Sequence, residues 1–331
     1  MKKIVTIILC SALVMISGCD KYDFDQEQFR KEVNLLSNSN LVYDRQVAEL
    51  QQGGDTLFVV ASLSGSQATD EPVTVVLQHS DTLLRAYNKS NFDINKARFA
   101  KYLPEECYEF PTMEMNISAG SSKAMFPVYL KNLDKISPDS IYFLEYKIDS
   151  LKTPDCNPKK RHVLLRIHKE NYYASTQTAT YYNYTSSTII IPNTDGTSEV
   201  RRPTNSNRVF PVSENSVRLM AGDESFSDYT TALDIINKGS IILEMGEQLP
   251  ENPLAKELTI LPYKDIDVMQ LTPIGEYDNT YLLNVIRTPD GRATYYKEFR
   301  LHYKYRLQPT DRYREVNAKL RYQFNPRVEN L

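Results

Sequence analysis

The sequence predicts an all-β protein: an N-terminal immunoglobulin-like sandwich, then a second antiparallel β domain, barrel or sandwich, with one short helix. Three observations carry this. The chain holds 23 Tyr and 12 Phe against only 11 Gly, and aromatic and β-branched residues suit the pleated, half-buried surface of a sheet. Apolar residues alternate over short runs, as in Val163, Leu165 and Ile167 or Leu320, Tyr322 and Phe324, the period of a strand with one dry face. Turn chemistry recurs between the runs, with Gly53-Gly54, Ser64-Gly65-Ser66 and Pro289-Asp290-Gly291 as examples.

The head of the chain is different in kind. Met1-Lys2-Lys3 is basic, Ile4 to Ile16 is almost wholly apolar, and Ser17-Gly18-Cys19 follows. A basic head, a short apolar run and small residues before a cut describe a secretion signal, and the run is shorter than the roughly 20 residues a membrane span needs. The Cys after Ser-Gly resembles the bacterial lipobox, in which that Cys carries lipid and becomes the new N-terminus. Residues 1–18 are therefore expected to be removed and Cys19 to be the lipid anchor. Residues 19–30 read as a solvated tether, acidic at Asp20, Asp23, Asp25 and Glu27; this acidity resembles the surface-export signal of Bacteroidetes lipoproteins.

Residues 31–169 form the first predicted domain. Val33–Leu36, Val42–Val47, Asp55–Leu63 and Val73–Leu77 read as strands. Between 81 and 103 the spacing of Leu83, Leu84, Tyr87, Ile94, Ala97 and Phe99 is helical, with Pro104 as the stop. Strands resume at Met113–Ile117, Lys123–Leu130, Ser140–Ile148 and Arg161–His168. Seven or eight strands in about 140 residues is the size of an immunoglobulin-like sandwich.

Residues 170–331 form the second, beyond a boundary at Lys169-Glu170-Asn171. The Tyr-rich stretch Tyr181-Tyr182-Asn183-Tyr184 and the run Thr188–Ile191 lead to Asn193-Thr194-Asp195-Gly196, a hairpin turn with Glu199–Arg202 as its return strand. Val209–Met220 reads as a strand pair or a bend. Asp228–Asn237 reads as a helix with Gly239 as its C-cap. Ile241–Met245, Leu258–Leu261 and Val268–Leu271 follow as strands, then the hairpin Tyr281–Thr288 with Arg292–Leu307, then Ala318–Phe324.

Charge and motifs narrow the chemistry. Loss of residues 1–18 leaves 37 basic against 42 acidic residues, a net charge of −5, a poor surface for nucleic acid, which takes a basic footprint. No zinc, P-loop, dinucleotide or serine-hydrolase motif is present, so no metal, no cofactor and no enzyme activity are expected. Carboxylate pairs such as Glu105-Glu106 and Asp265/Asp267 read as solvated surface rather than a glycosidase pair. Cys107 and Cys156 can close a loop by disulfide in an exported chain or remain free thiols. The best interaction surface is aromatic. Tyr182 and Tyr184 share one strand face and Tyr181 takes the other; Tyr303 and Tyr305 share a face in the last hairpin. A Tyr ring can lie against a sugar's C–H face while polar neighbours bond its hydroxyls. The expected ligand set is Tyr181, Tyr182 and Tyr184 with Asn183, Arg201 and Arg202.

The segments Asn38–Asp44, the 81–104 insertion, Ile117-Ser118-Ala119-Gly120 and Ile141–Ile148 resemble a Bacteroidetes domain of unknown function. That domain is immunoglobulin-like and also precedes some family-18 endo-N-acetylglucosaminidases. From Asn171 the chain is similar to the C-terminal domain that accompanies it in two-domain surface lipoproteins. The resemblance implies a non-catalytic, glycan-binding lipoprotein of a polysaccharide-utilisation system. It would sit at the outer-membrane surface beside a TonB-dependent porin and that porin's glycan-binding partner. The alternatives are an accessory subunit that binds protein partners in an outer-membrane complex and, further off, a glycoside hydrolase.

Overall fold

The structure is a computed structural model that describes residues 29–225, 232–287 and 289–326. The expected secretion signal, Cys19 and nearly all of the tether lie outside the described residues. No helix among the described residues is long and apolar enough to cross a membrane.

The first domain is a β-sandwich. One sheet is β1 (Val33–Leu35), β4 (Asp55–Leu63), β9 (Lys123–Leu130) and β7 (Tyr108–Glu109), in that order. The other runs β12 (Ala174–Ser175), β11 (His162–Asn171), β10 (Tyr142–Ile148), β5 (Val73–His79) and β8 (Glu114–Ile117). Short strands β2 (Val42–Tyr43) and β3 (Val47–Glu49) add to β11, and β6 (Lys101–Tyr102) adds to β10, all three in parallel. Alternation decides what faces the core. Leu57, Val59 and Ala61 of β4 meet Val163, Leu165 and Ile167 of β11 within one buried cluster.

The insertion is helical where its spacing requires. Helix α1 (Leu83–Phe92), which the 3-10 turn Lys96–Arg98 follows, packs Leu84, Tyr87 and Phe92 against Phe143 and Leu164, in a cluster separate from the main core. The buried Glu145 carboxylate accepts the amides of Thr82 and Leu83 at 2.9 Å and of Leu84 at 3.2 Å. These are orphan donors of the first turn, and a negative charge also suits the positive end of the helix dipole. Burial alone would raise the Glu145 pKa, but the bonds from Leu83, Leu84 and the Tyr102 hydroxyl hold it below the ordinary value.

Cys107 and Cys156 are both free and buried. Cys156 pairs with Val33 at the β1 edge of the four-stranded sheet, whereas Cys107 directly precedes β7 at the opposite edge. Strand spacing puts them roughly 14 Å or more apart, beyond the Cα separation of about 7 Å that a disulfide spans.

The second domain is a closed barrel. Eight antiparallel strands join in a ring: β13 (Thr180–Pro192), β15 (Ser206–Ser213), β16 (Ser216–Met220), β17 (Ser240–Leu249), β18 (Asn252–Pro262), β20 (Thr280–Arg287), β21 (Ala293–Arg306) and β22 (Arg314–Phe324). β22 closes it by pairing with both β21 and β13. β14 (Ser198–Arg201) extends β13, and β19 (Asp267–Gln270) pairs with β21. An eight-stranded barrel is just wide enough for side chains to fill. Phe299, Leu301, Tyr182, Tyr303 and Tyr305 fill this one, each at most 2% exposed.

The Tyr181–Tyr184 stretch and Thr188–Ile191 are one strand rather than two. A bulge between Thr185 and Thr188, with Ser186 at φ 49°, bends it. Helix α2 (Ala232–Gly239) ends on Gly239, and β17 begins at once. Gly239 is no left-handed cap. A Cβ there would stand 3.0 Å from Met220 Cε, so glycine serves close packing. No loop separates the domains, because β11 runs unbroken through Lys169-Glu170-Asn171.

Candidate functional site

The site begins as a stripe on the outer wall of the barrel. In β13 the even positions Tyr182 and Tyr184 point inward, so Tyr181 points out. Its register partner on β15 is Arg208. Two residues along, outward Phe210 lies opposite Arg218 of β16. Both guanidinium groups stack on the Phe210 ring, Arg208 at 4.5 Å and Arg218 at 4.3 Å from its centroid. Such stacking restrains long side chains that would otherwise sample many rotamers.

The stripe forms one wall of a cleft of about 570 Å³, within the roughly 300–1,000 Å³ of small-molecule sites. Tyr181, Arg201, Arg202, the segment 203–206, Gly222, Asp223 and Glu224 belong to its lining. Arg201 is held by Glu199 at 2.8 Å and by Asp223 at 3.8 Å. Glu224 accepts the Tyr305 hydroxyl at 2.9 Å and pairs with Arg314. Tyr184 reaches the cleft only through its end. Its hydroxyl donates to the Gly222 carbonyl and accepts Asn207 Nδ2 at 3.1 Å. Burial pushes its pKa up to about 12, so it stays a neutral hydroxyl.

Four of the six expected ligand residues therefore share this cleft: Tyr181, Tyr184, Arg201 and Arg202. Tyr182 does not reach it. It is fully buried, stacks on Phe299 at 4.7 Å and donates its hydroxyl to the Tyr173 carbonyl at 3.0 Å. Asn183 is exposed on the outer face but lies outside the cleft lining. Tyr303 and Tyr305 are interior residues, at 2% and 0% exposure. Tyr182 and Tyr184 share a face, as do Tyr303 and Tyr305, and closure of the barrel makes that face the dry one.

Sequence reasoning missed Arg208, Phe210 and Arg218. The signal was there: Val209 and Val217 alternate inward, which turns those three outward, and Arg218 interrupts an apolar run. It also missed the first domain's share. The Arg218 guanidinium pairs with Asp139, at 1% and 8% side-chain exposure. Burial raises the Asp139 pKa, and the Arg218 charge opposes that rise. A second cleft of about 270 Å³ lies at this junction, between Ser137–Tyr142, Arg166–Lys169 and the barrel residues Arg208 and Phe210. Lys169 is buried there, and its ammonium donates to the Leu133 and Ile136 carbonyls at 3.1 and 3.0 Å. Burial pulls its pKa down to about 8.

No cluster of His, Cys, Asp or Glu able to hold a metal occurs among the described residues. Asp267, of the carboxylate pair noted in the sequence, is engaged by Arg306 at 2.7 Å and the Tyr313 hydroxyl at 2.6 Å. These contacts hold its pKa below the ordinary value.

Residues 29–155 match a family model described as an N-terminal domain, and residues 161–321 match its companion, described as C-terminal. The chain belongs to this two-domain Bacteroidetes family. Solved structures share the fold at low identity. A multidomain protein including DUF1735 from Bacteroides ovatus is 16% identical, with 88% of this chain and 94% of that one covered and a TM-score of 0.63. A protein of unknown function from Bacteroides ovatus is 16% identical, with 89% and 93% covered and a TM-score of 0.62. An auxiliary nutrient binding protein from Bacteroides thetaiotaomicron is 15% identical, with 87% and 94% covered and a TM-score of 0.61. No curated protein matches the chain. The family models divide the chain before β11, whereas the two cores part near Asn171.

Proposed function

We propose that this protein is a non-catalytic glycan-binding lipoprotein, anchored by lipid on Cys19 at the outer surface of the outer membrane, where it serves a polysaccharide-utilisation system. The observation that carries the reading is the barrel-wall cleft. An exposed Tyr181 ring stands opposite Arg208 there, with Arg201, Arg202 and Asn205 within the same lining. Sugar recognition takes an aromatic face for C–H groups and fixed donors for hydroxyls. The fold shared with an auxiliary nutrient binding protein of Bacteroides thetaiotaomicron agrees with a role in capture rather than turnover. A TonB-dependent porin and its glycan-binding partner are the proposed neighbours.

The test is a glycan array with the chain from Cys19 onward, followed by calorimetric titration of each hit. Tyr181→Ala is expected to weaken binding by about tenfold, the value of one stacked ring, at unchanged melting temperature. An array with no hit would remove the proposal.

A second reading, an accessory subunit that binds protein, has one supporting observation. The outer face of the four-stranded sheet exposes Leu36, Met125 and Tyr129, at 43%, 39% and 46%. Co-purification of a porin that persists after glycan removal would favour that reading.

A further inference from the structure

The two clefts adjoin at Arg208 and Phe210, which line both, and taken together make a candidate groove. Its charge is out of balance. Asp139 is the carboxylate at the junction, and the cations acting on it are Arg218, Lys264, Lys169 and Arg208. Its ion pair takes up Arg218 alone. At the barrel end, Asp223 faces Arg201 and Glu224 is taken up by Arg314. No carboxylate pairs with Arg202, Arg208 or Arg166 among the described residues. The whole chain is acidic, with net charge −3, so composition does not explain a positive groove. Arg166 and Arg208 are half-buried and Arg202 is exposed. Three guanidinium groups thus face the groove from β11, β15 and the turn after β14. A guanidinium fork matches a carboxylate or sulfate better than a neutral hydroxyl, and charge-assisted bonds are about twice as strong as neutral ones.

Resting on the glycan reading above, we infer that the groove binds an anionic glycan, a sugar chain bearing uronate carboxylates or sulfate esters. Arg202, Arg208 and Arg166 are its anion contacts, and both domains contribute to the site. The Phe210 stack holds Arg208 at the centre, where the clefts meet. Arg202 and Arg166 take successive charged groups on either side of it. The first domain is then half of the binding site.

The experiment titrates the chain from Cys19 onward with matched probes. One pair is oligogalacturonide and its methyl ester; the other is a sulfated galactan oligosaccharide and its desulfated form. A panel of neutral plant and yeast oligosaccharides runs alongside. The expected result is binding of at least one anionic member about tenfold tighter than its neutral match, weakening as salt is raised. Arg166→Gln, Arg202→Gln and Arg208→Gln should each lower that affinity about threefold to tenfold at unchanged melting temperature. Whichever anionic arm binds names the charged group. Binding of neutral glycans with no preference for the anionic forms and no salt dependence would overturn the inference and leave the glycan reading intact. Anionic binding that ignores all three substitutions would overturn the assignment of the groove. Failure of every probe to bind would overturn both readings.

Discussion

At the residue scale, Tyr181 and Tyr182 show how much one step along a strand decides. They are neighbours of the same type, yet Tyr181 is 47% exposed and Tyr182 is 0% exposed. Tyr182→Ala removes a ring stacked on Phe299 and leaves a cavity in a filled barrel, so it should cost about 3–5 kcal/mol of unfolding free energy, read by denaturant titration. The period of two was legible in the sequence. The sign was not, because inward and outward become different only when β22 pairs with both β13 and β21. Arg208 and Arg218 escaped notice for a related reason. An isolated Arg reads as solvated surface, and only the register that puts Arg218 opposite Phe210 gives it work to do.

At the scale of elements, long strands and clear turns were legible. Asp55–Leu63 and Lys123–Leu130 have the bounds that alternation and flanking turns require, and the Asn193–Gly196 turn closes the β13–β14 hairpin as its chemistry demands. What local pattern could not reveal was β13 as one bent strand and β11 as a first-domain strand that runs unbroken through the boundary to Asn171. β11 also carries a testable group. His168 is 4% exposed, and its pKa is pulled down to about 4 by burial first and by the Arg166 charge second. Free imidazole takes its proton near pH 6.5. Between pH 6.5 and 4 the unfolded chain therefore binds more protons than the folded one, and stability falls as pH falls. The His168 contribution to that loss should reach on the order of 2–3 kcal/mol by pH 4. His168→Gln should flatten the stability profile in that window, whatever its stability at pH 8, as measured by denaturant midpoints across pH.

At the scale of the molecule, two β domains were legible and their junction was not. Contacts between residues such as Asp139 and Arg218 leave no periodic trace. The junction is firm. Besides that buried pair, Asn171 Nδ2 donates to the Ser213 and Ser216 carbonyls at 2.7 and 2.9 Å, and Gln177 reaches the Asp44 carbonyl at 2.9 Å. Asp139→Asn leaves Arg218 buried without its counter-charge, which should cost about 3–5 kcal/mol. In calorimetry the single cooperative transition expected of the parent should then split towards two. Replacing both partners with apolar residues of similar volume should recover most of that loss.

The proposed glycan site is one groove, built by both domains around Arg208 and Phe210. The most direct measurement is hydrogen exchange with and without a glycan shown to bind. Slowed exchange is expected in 181–184, in 201–210 and, on the other domain, in 137–142 and 166–169. Protection confined to the exposed sheet face around Met125 and Tyr129, or to the barrel alone, would contradict it.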